Sequence, residues 1–172
     1  MKHIKYFSVF VISILLVTIF YQCKSAQKST GKSDSNNLNI KNLVDSQRFV
    51  FVAQTVMPFR GRFRNLTSLY EVSIFKDTLV SYLPYFGRAY IAPLNPSELD
   101  LDFTSTNFSY SVTPRKKSGW DVVIKPKDKT EIQQYVFTIY DNGNANLNVI
   151  STSRDPISFS GYITKEEKKN SK

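Results

Sequence analysis

Residues 132–149 read IQQYVFTIYDNGNANLNV, and this stretch decides the fold. Ile132 to Tyr140 is rich in β-branched and aromatic residues, the composition of a strand. Asp141-Asn142-Gly143 follows. Asn and Gly tolerate positive φ, so the tripeptide predicts a tight hairpin turn. Beyond the turn Ala145, Leu147 and Val149 alternate with Asn144, Asn146 and Asn148. A period of two sends the apolar side chains to one face and the asparagines to the other. A hairpin with one wet face belongs to an antiparallel sheet.

The same pattern extends in both directions. Lys116-Lys117-Ser118-Gly119 predicts a turn, after which Trp120, Val122 and Ile124 share a face. Ile157, Phe159 and Ile163 predict a closing strand. Leu66 to Phe75 alternates, with Tyr70, Val72 and Ile74 on one face and Glu71 and Ser73 on the other; Lys76-Asp77 turns the chain into Thr78–Leu83. Phe49 to Val56 (FVFVAQTV) is apolar and β-branched, which predicts a strand covered on both faces and ended by Pro58. Leu101 to Thr113 is one long strand or two short ones. Its aromatics Phe103, Phe108 and Tyr110 do not share a phase, so a bulge or bend is expected between them. Asn37 to Gln47 spaces Leu38, Leu43 and Val44 as a short helix would.

About eight strands linked by short turns, with no βαβ rhythm, give an all-β antiparallel fold. A small barrel or curved half-barrel is expected, because hairpins dominate and closure removes exposed edges. The alternative is a two-layer β-sandwich. The short N-terminal helix is expected to plug or cap one end.

The N-terminus carries a different signal. Lys2, His3 and Lys5 precede an uncharged, largely apolar run from Tyr6 to Gln22, which ends at Cys23, the only cysteine. These are the parts of a secretory signal. Residues 1–22 are read as the signal peptide and Cys23 as a lipidated N-terminus. Phe20 and Gln22 depart from the Leu and small residue usual before a lipidated cysteine. An uncleaved anchor and ordinary cleavage near Ser25 or Ala26 are the alternatives. All three place residues 27–172 outside the cytoplasm, facing the periplasm, with the outer membrane preferred over the inner. Residues 23–41, rich in Ser, Lys and Asn, are read as a flexible tether, 42–164 as the β domain and 165–172 as a disordered tail.

Charge and composition exclude several functions. The formal net charge is +9, but residues 42–164 hold 13 basic and 11 acidic side chains. A domain so near neutrality does not point to nucleic acid. The basic tether would suit an anionic membrane surface, but lysines that simply keep a linker soluble explain it better. No histidine follows His3, and Cys23 is the only thiol. Ser-His-Asp and Cys-His machinery and His-ligated zinc are therefore absent from the domain. No phosphate-binding loop or dinucleotide fingerprint occurs, so no cofactor is expected and the protein is read as a non-enzyme. Glu98, Asp100 and Asp102 would share one face of an extended chain, but a solvated strand edge explains them better than a metal or hydrolytic site, and no metal is expected.

Two stretches are richer than a plain β-core needs. One is Pro58-Phe59-Arg60-Gly61-Arg62-Phe63-Arg64-Asn65, and the other runs from Ser81 to Tyr90 through Tyr82, Tyr85, Phe86 and Arg88. Arginine beside aromatic rings suits an anionic or glycan-like ligand: rings supply apolar area and guanidinium groups supply forked donors. The candidate ligand-binding residues are Arg60, Arg62, Tyr82, Tyr85, Phe86, Arg88 and Tyr90. The same residue types also seal barrel ends.

These stretches carry a resemblance. Arg48-Phe49-Val50-Phe51, Gly61-Arg62 with Asn65-Leu66, the run Ser81–Tyr90, Gly119-Trp120, and Asn142-Gly143 with Ala145 occur in this order. Over about residues 40–163 the chain resembles the bacterial domain of unknown function 4251, small Gram-negative envelope proteins with an N-terminal signal, often a lipoprotein one. The resemblance implies location and a β-rich domain but no reaction. The expected function is non-enzymatic binding of an apolar or amphipathic ligand near a membrane. The alternative is a structural or assembly protein of the envelope that acts through a protein interface. The expected partners are the membrane, through the N-terminal lipid, and a small amphipathic ligand or an envelope protein.

Overall fold

A computed structural model describes residues 39–90 and 101–166. The strands are β1 (Phe49–Pro58), β2 (Arg64–Ile74), β3 (Leu79–Leu83), β4 (Leu101–Ser105), β5 (Phe108–Pro114), β6 (Trp120–Pro126), β7 (Ile132–Ile139), β8 (Asn144–Ser151) and β9 (Ile157–Thr164). Residues 39–45 form a short helix, α1. The nine strands make one sheet in the order β4-β3-β2-β1-β9-β8-β7-β6-β5. Every pair is antiparallel, so the chain meanders and β9 returns to β1.

The two edge strands, β4 and β5, are consecutive in the chain, with only Thr106 and Asn107 between them. Because direction alternates around the sheet, β4 and β5 run the same way. They are halves of one bent strand, the first paired with β3 and the second with β6. A flat sheet of this order would hold its edges about 38 Å apart, at ~4.8 Å per strand. The step from Ser105 to Phe108 reaches at most about 11 Å. The sheet therefore curls into a nearly closed barrel, and the sandwich alternative falls with it. The bend expected between Phe103 and Tyr110 is this joint, and it divides one long strand into two.

Asp128, in the β6–β7 loop, pins the joint. Its carboxylate accepts hydrogen bonds from the Ser105 hydroxyl and from Thr106 N–H, the latter at 3.2 Å. Lys127 N–H donates to the Asn107 carbonyl at 2.7 Å. The Ser105 bond is the main reason that the Asp128 carboxyl titrates below its ordinary value.

The barrel interior is filled by side chains. Phe51 and Phe49 meet Phe137 edge to face, with ring centroids 5.6 and 6.0 Å apart. Tyr135 meets Phe103 at 6.0 Å. Such pairs add about 0.5–1.5 kcal/mol each to the burial of their area. Tyr135 is fully buried, and its hydroxyl lies 2.9 Å from Ser81 Oγ, which in turn donates to the Leu101 carbonyl at 2.7 Å. A serine has one proton to give, so Tyr135 is the donor to Ser81. This buried chain ties β7, β3 and β4 together across the core.

β1 departs from its expected form. Phe49, Phe51 and Ala53 point inward, whereas Val56 and Pro58 do so farther on. A bulge at Gln54, unpaired against β9 between Ala53 and Thr55, switches the phase. Only the first half of FVFVAQTV is covered on both faces; Gln54 and Met57 are exposed. The helix begins by residue 39, and Ile40, expected in the tether, is buried with Val44. Tyr110 donates its hydroxyl proton to the Val44 carbonyl at 2.9 Å, so α1 caps the barrel beside β5. Gly143 closes the β7–β8 hairpin at φ 88°, as the Asp-Asn-Gly signal predicts. Leu38 and the proposed signal and tether before it lie outside the described residues, as do 91–100 and 167–172.

The barrel ends differ. One carries α1 and the short β2–β3, β5–β6 and β7–β8 turns. The other carries the β1–β2 loop (59–63), the β6–β7 loop (127–131), the β8–β9 link (152–156) and the residues that follow β3.

Two substitutions separate the parts of the buried network. Ser81→Ala leaves the Tyr135 hydroxyl buried without an acceptor and lowers unfolding free energy by about 1–3 kcal/mol, whereas Tyr135→Phe removes donor and cost together and loses about 1 kcal/mol or less. Urea denaturation of both variants checks the order. Asp128→Ala weakens the joint and lowers Tm. Because the folded carboxyl titrates below its ordinary value, its contribution is complete above that value and is lost as pH falls through the folded one. The Tm difference between Asp128→Ala and the unaltered protein therefore shrinks below about pH 4; a difference that persists unchanged into strong acid contradicts the role given to the charge.

Candidate binding surface at one barrel end

The β8–β9 link organises this end of the barrel. Arg154 and Asp155 are 6% and 4% exposed, although they sit in a short connection just before Pro156. The chain after β3 folds over them. Ala89 bridges Arg154 in antiparallel fashion, Tyr90 N–H donates to the Ser153 carbonyl at 2.8 Å, and Asp155 N–H donates to the Arg88 carbonyl at 3.0 Å. From the other side Phe59 N–H donates to the Pro156 carbonyl at 3.2 Å. One link thus holds both loops that the sequence marks as unusual.

Tyr85 locks the arrangement. Its hydroxyl proton is shared between the Arg88 and Asp155 carbonyls, at 3.0 and 2.9 Å. The Arg154 guanidinium lies 5.3 Å from the centre of its ring. Burial, and then the Asp155 charge, push the Tyr85 hydroxyl up to about 12. Tyr90 donates its hydroxyl proton to the Asp155 carboxylate, and that bond is the main reason its own titration is raised. Arg154 also faces the Glu131 carboxylate at 3.5 Å.

The seven candidate residues therefore divide. Tyr85, Arg88 and Tyr90 come together around Asp155, with Tyr85 and the Arg88 backbone serving the clamp itself. Arg60 is close enough to act on Tyr90 electrostatically, as is Arg88. Phe86 is 40% exposed and carries the Arg64 guanidinium 4.9 Å from its ring centre. Arg62 is exposed in the β1–β2 loop. Tyr82 is set apart on the outer wall, where it packs on Tyr70 at 5.5 Å. Arg154 and Asp155 escaped sequence reasoning. The Arg-Asp-Pro run between two strands was the available signal, but charges in short links are ordinarily solvated.

What the β1–β2 loop and the chain after β3 turn outward at this end is apolar and basic, whereas the β6–β7 loop beside them exposes Asp128 and Glu131. Phe59, Phe63 and Tyr90 are 66%, 56% and 62% exposed, and Met57 is 55% exposed. Arg60, Arg62, Arg64 and Arg88 are exposed among them. Asp155 is buried and already holds Tyr90. We refer to these exposed side chains as the crown. A separate pocket of about 280 Å³ opens beside β4 and the β6–β7 loop, where Phe103, Lys129, Glu131 and Arg154 contribute to its wall; none of the seven candidates lines it. Asp102 is exposed on β4, and Glu98 and Asp100 lie outside the described residues.

The family model for a domain of unknown function (DUF4251) matches residues 32–163. The chain belongs to the DUF4251 family. A crystal structure of a DUF4251 family protein from Bacteroides eggerthii DSM 20697, at 1.95 Å resolution, superimposes with a TM-score of 0.55 at 16% sequence identity, covering 78% of this chain and 88% of that one. At this identity the likeness is one of fold. No curated protein matches the chain. The Tyr85-Phe86-Gly87-Arg88 run, part of the Ser81–Tyr90 stretch that carries the resemblance, has a structural explanation in this chain. A Cβ on Gly87 would lie 2.3 Å from the Tyr85 hydroxyl oxygen and 2.6 Å from the ring carbon that bears it, so Gly87 is what lets Tyr85 fold back onto Arg88.

This account predicts a specific coupling. Gly87→Ala expels the Tyr85 ring from the clamp and destabilises the protein by about 1–3 kcal/mol, the usual range for an overpacked site. In a Tyr85→Ala background the clash is gone, and Gly87→Ala becomes nearly neutral. A double-mutant cycle by denaturation checks this, and additive effects contradict it.

Proposed function

We propose that this protein is a non-enzymatic binding module of the cell envelope, held beside a membrane through Cys23, whose crown takes an amphipathic ligand with an anionic head. The crown carries the reading: four exposed arginines interleave with exposed Met57, Phe59, Phe63, Phe86 and Tyr90 at one barrel end. Guanidinium groups suit phosphate, sulfate or carboxylate heads through forked hydrogen bonds, and the rings offer apolar area to a chain or ring. A barrel filled by its own side chains favours a ligand held at the surface over one held in a lumen. The β1–β2 loop and the chain after β3, which carry most of the arginines and rings, are both fastened to the β8–β9 link, which lowers the ordering cost of binding. For the membrane location the support is the N-terminal sequence. No helix among the described residues is long and apolar enough to cross a membrane.

A second reading, an envelope assembly protein acting through a protein interface, is favoured by a different place. The outer wall has a groove to which Val50, Val52, Leu69 and Tyr162 contribute, and Leu69 is 61% exposed.

Titration with dodecyl phosphate below its micelle concentration, followed by amide chemical shifts, tests the first reading. Shifts are expected at residues 57–64 and 86–90. Combined Arg60→Ser, Arg62→Ser and Arg88→Ser weakens binding about tenfold or more, equivalent to ~1.4 kcal/mol. Equal binding of dodecyltrimethylammonium, or shifts confined to the groove on the outer wall, argues against it.

A further inference from the structure

Resting on the crown reading above, we propose that the physiological occupant of the crown is the surface of an anionic lipid bilayer, into which the β1–β2 loop inserts Phe59 and Phe63. The charge pattern points that way. Arg60, Arg62, Arg64 and Arg88 are exposed, while Asp155, the carboxylate that holds Tyr90, is buried, and the exposed Asp128 and Glu131 of this end sit on the separate β6–β7 loop. Such a surface matches lipid phosphates and repels cationic partners. The apolar side chains stand between the arginines instead of forming a separate apolar patch. Arginine and aromatic residues mixed in this way suit the headgroup boundary, where rings enter the acyl edge and guanidinium groups stay with the phosphates.

Phe59 and Phe63 flank the β1–β2 loop and are 66% and 56% exposed. The loop is fastened at its base, by Phe59 N–H on the Pro156 carbonyl and by the pairing of Val56 with Arg64. The rings are thus presented from a fixed scaffold. Arg64 lies over the Phe86 ring, which adds a ring from the neighbouring segment to the same face.

The position of the crown agrees with a tether. β1 runs for ten residues from α1 to the crown, so the chain before residue 39 joins the barrel at the opposite end, about 30 Å away at ~3.3 Å per residue. The chain from Cys23 to residue 39 can extend to about 50 Å. A lipid on Cys23 and a crown seated on the same bilayer are therefore compatible. Each contact raises the effective concentration of the other, so a weak crown suffices once the tether is in place.

The test uses the full chain with Cys23→Ser, so that a single new cysteine can be labelled with an environment-sensitive fluorophore. One version carries Phe63→Cys in the crown and the other Lys117→Cys in the β5–β6 turn at the opposite end. Both are reconstituted in phosphatidylglycerol-containing vesicles and in phosphatidylcholine vesicles, with a quencher on the lipid chains. The expected result is a blue-shifted, quenched probe at 63 in anionic vesicles only, an unshifted probe at 117, and loss of the signal at 63 when Arg60, Arg62 and Arg88 are changed to Ser. A probe at 63 that stays in water in both vesicles overturns the proposal. Equal quenching in phosphatidylcholine overturns its anionic part. If vesicles leave the probe unchanged but soluble dodecyl phosphate shifts it, the bilayer assignment falls and the binding-module reading stands. If neither shifts it, both fall. Circular dichroism of each variant confirms that the barrel is intact.

Discussion

The joint at Thr106–Asn107 is the constraint on which the rest of the structure depends. It links the two edges of a nine-stranded sheet with two residues, so the sheet cannot lie flat. Curling brings β3 and β4 opposite β7, which is where Tyr135, Ser81 and the Leu101 carbonyl form their buried chain. It also brings Phe49, Phe51 and Phe137 onto one interior, where they belong to a continuous buried core. Asp128 holds the bend through the Ser105 hydroxyl and through Thr106 N–H, a backbone donor that a regular ladder would have paired with a neighbouring strand.

A filled barrel moves any recognition to its ends and walls. At the end away from α1, two loops need anchoring because neither is part of the ladder. The β8–β9 link supplies the anchor with its own backbone, and Tyr85 and Tyr90 seal it through Asp155. Residues of the same chemical type thus have opposite fates. The Tyr85 hydroxyl is consumed inside the protein. The arginines of the β1–β2 loop, the ring of Phe63 and the Arg88 side chain face solvent. Gly87 belongs to the first group, since its lack of a Cβ leaves room for the Tyr85 ring.

Much of the fold could be read from local pattern. The Asp-Asn-Gly turn, the alternation of Ala145, Leu147 and Val149, and the shared face of Trp120, Val122 and Ile124 all hold, because a strand's period of two is a local property. Even the bend in Leu101–Thr113 showed as a phase break among its aromatics. The bulge at Gln54 did not show, because an apolar run looks the same whether or not its phase changes. Of the surface, Arg60, Arg62, Phe86 and Arg88 could be found by composition. Arg154 and Asp155 could not, since nothing local distinguishes a solvated turn charge from one that another loop will bury.

The sequence by itself determined the strands, most of their turns, the antiparallel class and the absence of histidine and of any thiol beyond Cys23 from the chain after the N-terminal run. These follow from hydrophobic period, turn chemistry and residue inventory. Tertiary structure alone decided that β4 and β5 are one bent strand and that the interior is full. It also decided which of the aromatic and arginine side chains are tied to the β8–β9 link and which are left exposed. Those outcomes depend on pairings between residues 20 to 70 positions apart, such as Tyr85 with Asp155 and Ser81 with Tyr135. Only chain closure brings such residues within hydrogen-bonding distance.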